Sequence, residues 1–190
     1  MKGLSHCTLV GIAFILLLSL ACGNSPVDKQ QAVKEVELKP TVIQLPVRHY
    51  LVLRERLPLD YMTGFFGIES PILMEKAKAA GIEPIGPISA LFYEWNTDEG
   101  IGEAAVALPV AKGSELPGYV LITLPAGQAF SADLKGDYTG LNAIYYGLEA
   151  QFKLQKLSID LPTIEEYIRG PLDSVPETEF VTRVIYPITE

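Results

Sequence analysis

Two short motifs recur in the chain with nearly the same separation, which indicates an internal duplication. Asp60-Tyr61-Met62-Thr63-Gly64 returns as Asp137-Tyr138-Thr139-Gly140 about 77 residues later. Ala107-Leu108-Pro109-Val110 corresponds to Ile185-Tyr186-Pro187-Ile188 about 78 residues later. Because the two separations agree, the chain is expected to fold as two similar halves.

The periodicity of apolar residues predicts the same order of elements in each half: strand, helix, strand and strand. In the first half, strands are predicted over residues 41–55, 88–95 and 104–110 and a helix over 59–80, with a bulge or a sheet edge at Pro46. The second half has an extended segment over 119–134 that is interrupted at Pro125-Ala126-Gly127, a helix over 141–157, and strands over 163–169 and 179–188.

Two βαββ units predict an α+β fold, in which one antiparallel sheet carries both helices on one face. The other face would be partly open to solvent. A concave sheet face between two similar halves is suited to bind a ligand. We therefore expect a ligand groove on the face opposite the helices.

The N-terminal segment has the form of a secretory signal. Lys2 precedes an apolar run over residues 9–20, and Ser19-Leu20-Ala21-Cys22 resembles the lipobox of bacterial lipoproteins. The sequence therefore predicts a signal peptide over 1–21, a lipid on Cys22, a tether over 22–40 and a folded domain over 41–190. An ordinary signal peptide and an uncleaved anchor are the alternatives. The predicted location is the cell envelope, and Gly23 after the cysteine favours the outer membrane if the organism has one.

Charge and cysteine content limit the partners and cofactors that we expect. Removal of residues 1–21 leaves 14 basic and 23 acidic residues, a net charge of about −9, and such a surface is expected to repel nucleic acid. With Cys7 in the signal and Cys22 acylated, the domain has no thiol for a disulfide or a metal. His49 is its only histidine and is expected to lie at the surface or to be hydrogen-bonded. We therefore expect no metal and no cofactor.

Three motifs in the second half resemble the GyrI-like small-molecule-binding domains, whose wider fold includes the SOUL haem-binding proteins. They are Gly136-Asp137-Tyr138, Glu165-x-Tyr167-x-x-x-Pro171, and Thr182-x-Val184-x-Tyr186-Pro187-Ile188. The resemblance implies a groove that binds bulky compounds, often cationic or aromatic. It also implies a hydrolase as an alternative activity, because some relatives hydrolyse reactive compounds with a Glu and a Tyr.

The chain departs from this family in two ways. Lys135 stands where a histidine is frequent, and we expect no DNA-binding domain before the resembling region. Since an exported lipoprotein could not reach chromosomal DNA or gyrase, we expect neither regulation of transcription nor inhibition of gyrase.

Alternation along residues 163–169 suggests which side chains line the groove. Ile164 and Ile168 share one face, and Glu165 and Tyr167 share the other with Thr163. If the isoleucines pack on the helices, Glu165 and Tyr167 point into the groove, with Glu166 on the helix side near an edge. The opposite assignment would bring Glu166 into the groove. A further alternative is that Glu165 is solvated and paired with a lysine.

Four other aromatic residues are candidates for the walls of the groove. Tyr93 and Trp95 share a face of the corresponding strand in the first half, although either could simply pack in the core. Tyr138 belongs to the family motif, although beside Gly136 it could serve only to anchor the entry to the helix. Tyr146 lies on the second helix, next to a predicted buried stripe of Leu141, Ile144, Tyr145, Leu148 and Phe152.

The leading hypothesis is a membrane-tethered domain that binds small amphipathic or cationic organic molecules as a sensor, scavenger or carrier. A carboxylate among aromatic rings would select a cation by charge and by cation-π attraction. The second hypothesis is a hydrolase of reactive xenobiotics that uses Glu165 and Tyr167. The third is an interaction module of an envelope complex, without a ligand and with a shallow, filled groove.

Overall fold

The computed structural model describes residues 40–189, so Cys22, the predicted signal and nearly all of the predicted tether lie outside the described residues. The described strands are β1 (Thr41–Leu45), β2 (Arg48–Pro58), β3 (Ser89–Asn96), β4 (Ile101–Val110), β5 (Val120–Leu124), β6 (Gly127–Lys135), β7 (Ser158–Ile159), β8 (Thr163–Arg169) and β9 (Val181–Thr189). The helices are α1 (Met62–Ala79) and α2 (Leu141–Gln155).

The sheet is arranged symmetrically around its centre. Its order is β1-β6-β9-β8-β3-β4-β2-β5, all neighbours are antiparallel, and β7 pairs with the outer part of β9. The repeats are β2-α1-β3-β4 and β6-α2-β8-β9, and they meet where β3 pairs with β8. The predicted α+β fold with two βαββ repeats in one antiparallel sheet is confirmed.

Each extended segment that was predicted as one interrupted strand forms two strands. β1 and β2 are separated by Pro46 and Val47, and β5 and β6 by Pro125 and Ala126. Each two-residue connection joins strands near opposite edges of the sheet, because β1 pairs with β6 while β5 pairs with β2. Such short connections can span the sheet only if it is rolled so that its edges approach each other.

The inner face of the rolled sheet is filled with apolar side chains. Residues of both edge strands pack against a buried cluster on this face. The cluster contains Tyr50, Val52, Leu91, Ala105, Ala107, Ala129, Ile164 and Ile185. The cavity near the two connections has a volume of about 90 Å³, which is too small for the expected groove. The expectation of a partly open ligand groove on this face is therefore wrong.

Both helices pack on the outer face, at a distance from each other. Leu73 and Ala77 of α1 pack with Val106 and Leu108 of β4. On the other side, α2 packs on β6 and β9 through Ile144, Leu148 and Phe152. The central strands β3 and β8 lie between these two contact areas, so a space remains above them.

One close contact between α1 and β4 allows a test of this packing. A Cβ atom on Gly102 would lie 2.8 Å from Met62 Cε and 2.9 Å from Leu59 Cδ2. We expect Gly102→Ala to lower the free energy of unfolding by about 1–3 kcal/mol, because the buried Met62 must move. Chemical denaturation measures this change.

Gly64→Ala is the matched control, because a Cβ at this position of α1 meets no atom within 4 Å. It should stabilise the protein by roughly 0.5–1 kcal/mol through helix propensity. Equal stability of Gly102→Ala and the wild type would show that α1 does not hold Met62 against the sheet.

Candidate functional site

A cavity of about 520 Å³ lies between the two helices, above the junction of β3 and β8. One wall comes from α1, through Met62, Thr63, Phe66, Gly67, Ser70 and Pro71. The opposite wall comes from α2 and its entrance, through Tyr138, Leu141, Asn142 and Tyr145. Ile88, Phe92, Glu165 and Tyr167 contribute from the sheet side, and Trp95 and residues 170–173 complete the lining.

Glu165 is a buried carboxylate on the floor of this cavity. Only 4% of the surface of this residue is exposed to solvent. The Tyr145 hydroxyl donates a hydrogen bond to Oε1, and the Tyr167 hydroxyl donates one to Oε2 at 2.9 Å. Since both donors are neutral, the carboxylate is hydrogen-bonded but its charge is not balanced.

Burial determines the protonation of this group of residues. Loss of hydration raises the pKa of Glu165, and the hydrogen bonds from Tyr145 and Tyr167 oppose that rise. Burial raises the pKa of Tyr145 and of Tyr167 well above 10.0, and the nearby Glu165 charge adds to both shifts. The two tyrosines therefore remain protonated donors.

Aromatic rings form two connected groups around the cavity. Phe66 and Phe92 have ring centroids 5.6 Å apart, and Phe92 and Trp95 have centroids 5.8 Å apart, both with edge-to-face geometry. Tyr138 and Tyr167 meet edge to face at 5.9 Å. These rings offer apolar area and negative faces to a ligand, which suits a bulky aromatic cation.

The lining carries negative charge without a balancing base. Glu165 lies on the floor and Asp173 lies at the exposed side, and the lining includes no Lys, Arg or His within residues 40–189. A buried carboxylate in a low-dielectric space attracts a cation more strongly than one in water. The cavity is therefore suited to a cation and not to an anion.

Four of the candidates from the sequence meet in the cavity: Glu165, Tyr167, Trp95 and Tyr138. Tyr146 lies outside it and is 74% exposed. Tyr93 packs against the inner face of the sheet, beneath the Arg54 guanidinium, whose Cζ lies 3.5 Å from the ring centroid.

A β-bulge explains why Tyr93 and Trp95 separate. The register of β3 against β4 shifts between Phe92 and Glu94, so Tyr93 is the extra residue. After the bulge, Trp95 pairs with Gly102 and returns to the face that carries Phe92. Simple alternation had placed Trp95 on the same face as Tyr93.

The alternation along β8 correctly placed Glu165 and Tyr167 on the same face of the sheet. That face is the one that carries the helices, not the opposite one as predicted. Glu165 and Tyr167 share the cavity, but Ile164 packs in the inner cluster and Ile168 is 40% exposed. Glu166 also points to the inner face, where Arg48 Nη1 lies 2.7 Å from its Oε1. The prediction failed because apolar side chains fill the inner face, and Ile164 packs among them and not under a helix.

Several residues that line the cavity were not predicted from the sequence. Tyr145 belongs to the predicted buried stripe of the helix, and this stripe favours Tyr145 over its neighbour Tyr146 as a residue of the cavity. Phe66, Phe92 and Asp173 lacked a comparable signal, because their positions depend on helix placement, on the bulge and on the turn after β8.

Other expected features are peripheral to the cavity. His49 is half-buried, and its Nδ1 lies 2.9 Å from Thr123 Oγ1, so it is hydrogen-bonded as expected. Within residues 40–189, no group of three or more His, Cys, Asp or Glu side chains is placed to hold a metal ion. Over the same residues, the helices lack the combined length and apolar character needed to cross a bilayer.

No family model matches the sequence, and no curated protein matches it. Among solved structures, the crystal structure of the EcmrR C-terminal domain is similar, with a TM-score of 0.70 and 18% identity over 81% of this chain and 99% of that chain. SAV2435 bound to tetraphenylphosphonium has a TM-score of 0.62 and 13% identity, over 80% of this chain and 94% of that chain. These likenesses show the fold, and the curled sheet with two helices is consistent with the GyrI-like fold.

The exclusion of nucleic acid as a partner was wrong. The structure of an EcmrR–DNA complex is similar to this chain, with a TM-score of 0.71 and 18% identity over 80% of this chain. The chain spans 58% of the length of that protein. Because the fold occurs as one part of a longer protein that is found with DNA, the negative charge of this part alone does not exclude such a partner.

Replacing Glu165 by Gln should raise the thermal unfolding midpoint at neutral pH. Because the folded-state pKa of Glu165 is raised above 4.5, its protonated form contributes stability below that value, which is lost as pH rises through the folded-state pKa. The amide does not titrate. The difference in midpoint should therefore be small near pH 4 and should grow toward pH 8 in thermal melts.

Glu166→Gln is the matched control on the next residue. It removes the same charge, but from an ion pair with Arg48, so it should lower the midpoint at neutral pH. If Glu165→Gln were also destabilising at pH 8, the carboxylate would have a stabilising partner other than the two tyrosines.

Proposed function

We propose that this chain binds bulky hydrophobic organic cations in the cavity between α1 and α2. The observation that carries the proposal is a buried carboxylate, Glu165, that is held by neutral hydroxyls in an aromatic cavity. A cation in the cavity would supply the charge that the protein itself does not place beside Glu165.

Electrostatics and apolar area act together on such a ligand. A charged carboxylate at this depth is costly because it has lost its hydration, and a bound cation offsets that cost. Each ring that faces the cation contributes about 0.5–2 kcal/mol of cation-π attraction. A ligand with its charge at the centre of apolar groups would satisfy both the carboxylate and the walls.

The size of the cavity supports a small-molecule ligand over a module without one. Its volume of about 520 Å³ lies within the range of roughly 300–1,000 Å³ for ligand pockets. A shallow, filled groove was expected for a pure interaction module. SAV2435, which has a similar fold, is bound to tetraphenylphosphonium in its structure, so this cation is a suitable first probe.

We also infer membership in the GyrI-like small-molecule-binding domains. Three motifs in the second half support this inference, and two of their residues, Glu165 and Tyr167, are hydrogen-bonded in the cavity. Which role the protein has in the cell, as a sensor, a scavenger or a carrier, depends on the molecule that it binds.

Tetraphenylphosphonium should bind the purified protein and change the fluorescence of Trp95, the only tryptophan of the sequence, which lines the cavity. Glu165→Gln keeps the shape of the side chain and removes its charge, so it should weaken binding at least tenfold, or about 1.4 kcal/mol. Triphenylphosphine oxide, a neutral probe of related shape, should lose little affinity. Fluorescence titration and calorimetry measure both.

Glu166→Gln is the control variant, because it removes a carboxylate from the inner face and should leave both affinities near the wild-type values. Equal weakening of the charged and neutral probes by Glu165→Gln would contradict the charge-based selection. Recovery of unchanged probe after long incubation supports binding. Consumption of an electrophilic probe by the wild type, but not by Glu165→Gln, would instead favour the hydrolase hypothesis.

We further propose, from the sequence alone, that Cys22 carries a lipid and that the domain acts in the cell envelope. The support is the motif Ser19-Leu20-Ala21-Cys22 after an apolar run. Cys22→Ser should abolish incorporation of labelled fatty acid and should release the protein from membranes or leave its signal uncleaved. Unchanged processing and membrane attachment would remove this part of the proposal.

A further inference from the structure

The cavity contains a second carboxylate that the proposed function does not use. Asp173 lies in the turn after β8 and lines the exposed side of the same cavity as Glu165. Its Oδ2 accepts a hydrogen bond from the Gly170 backbone N–H at 2.7 Å. Within residues 40–189, its other carboxylate oxygen has no hydrogen-bond partner and no basic side chain forms an ion pair with it, so its charge is unbalanced.

Both carboxylates lie near the Tyr138 ring. Burial raises the pKa of Tyr138 to about 12, and the negative charges of Glu165 and then Asp173 contribute to that rise. The ring meets Tyr167 edge to face, and the Tyr138 hydroxyl lies 3.2 Å from the position of a Cβ on Gly170. Tyr138 therefore lies close to both the floor and the turn that carries Asp173.

We propose that the cavity prefers ligands with two cationic centres joined by an apolar spacer, one centre at Glu165 and the other at Asp173. This inference rests on the proposed function, since it concerns the same cavity. A ligand with one cation leaves Asp173 unpaired. A ligand with two cations pairs both carboxylates while its spacer contacts the aromatic wall.

The two carboxylates should contribute unequally. Glu165 is buried, so its attraction for a cation is weakly screened, whereas Asp173 is exposed and is screened by water and salt. Exposed ion pairs are weak, so the expected gain from the second contact is about two- to fivefold in affinity at low salt. That gain should shrink as the salt concentration rises.

The test compares matched probes on the purified full-length protein by Trp95 fluorescence. The divalent probes are bis(triphenylphosphonium) compounds with alkyl spacers of increasing length, and each monovalent partner is the alkyltriphenylphosphonium of the same chain length. The wild type should prefer the divalent probe by more than the roughly twofold statistical advantage of two identical groups. The preference should peak at one spacer length, because hydrogen bonds hold both carboxylates, Glu165 through two tyrosines and Asp173 through the Gly170 N–H.

Asp173→Asn is the decisive variant, because the amide oxygen can still accept the hydrogen bond from the Gly170 N–H. It should weaken the divalent probe about two- to fivefold at low salt and weaken the monovalent partner by a clearly smaller factor. Glu177→Gln removes a charge that also acts on Tyr138 but lies outside the lining, so it should leave the preference intact. Glu165→Gln should weaken both probes.

Equal effects of Asp173→Asn on both probes, or none on either, would overturn the inference and leave the proposed function standing if the monovalent probe still depends on Glu165. Loss of the divalent preference in Glu177→Gln to the same extent would also overturn it, since a general negative potential would then explain the preference. Failure of the wild type to bind any of the cations would overturn the proposed function, and with it this inference.

Discussion

The rolled shape of the sheet depends on two short connections, Pro46-Val47 and Pro125-Ala126. Each lets a half of the chain place its first strand at the edge of the opposite half, so β1 pairs with β6 and β5 pairs with β2. The edges are thereby drawn toward each other, and the apolar residues of one face are enclosed by the sheet itself. The consequence is that one face needs no helix to cover it.

This enclosure decides where the fold leaves a cavity. Since both helices cover the outer face, each on its own half, the central strands β3 and β8 lie between them. The cavity above these strands takes residues from both repeats, with Phe66 and Phe92 from the first and Tyr145 and Glu165 from the second. The two repeats thus form together a cavity that neither could form alone.

Much of this architecture could be read from the sequence, because it depends on local patterns. The repeated motifs predicted two halves, and alternation placed Glu165 and Tyr167 on one face. The choice of face could not be read in the same way, since Ile164 would be buried on either side of the sheet. It depends on the pairing of Thr41 with Ser131, which joins distant parts of the chain. The separation of Tyr93 from Trp95 likewise depends on the register between β3 and β4.

The adjacent residues Glu165 and Glu166 show that the partners of a carboxylate, more than its burial, determine whether it can attract a ligand cation. Glu166 faces Arg48 at 2.7 Å, so its charge is balanced within the protein, and a ligand cation could reach it only by displacing the arginine. Glu165 is held by two hydroxyls, which satisfy its hydrogen bonds and leave its charge unbalanced. Only the second arrangement combines a fixed geometry with an unmet attraction for positive charge. That difference, one residue apart on opposite faces of the same strand, is the physical basis for proposing that cations are recognised on the outer face.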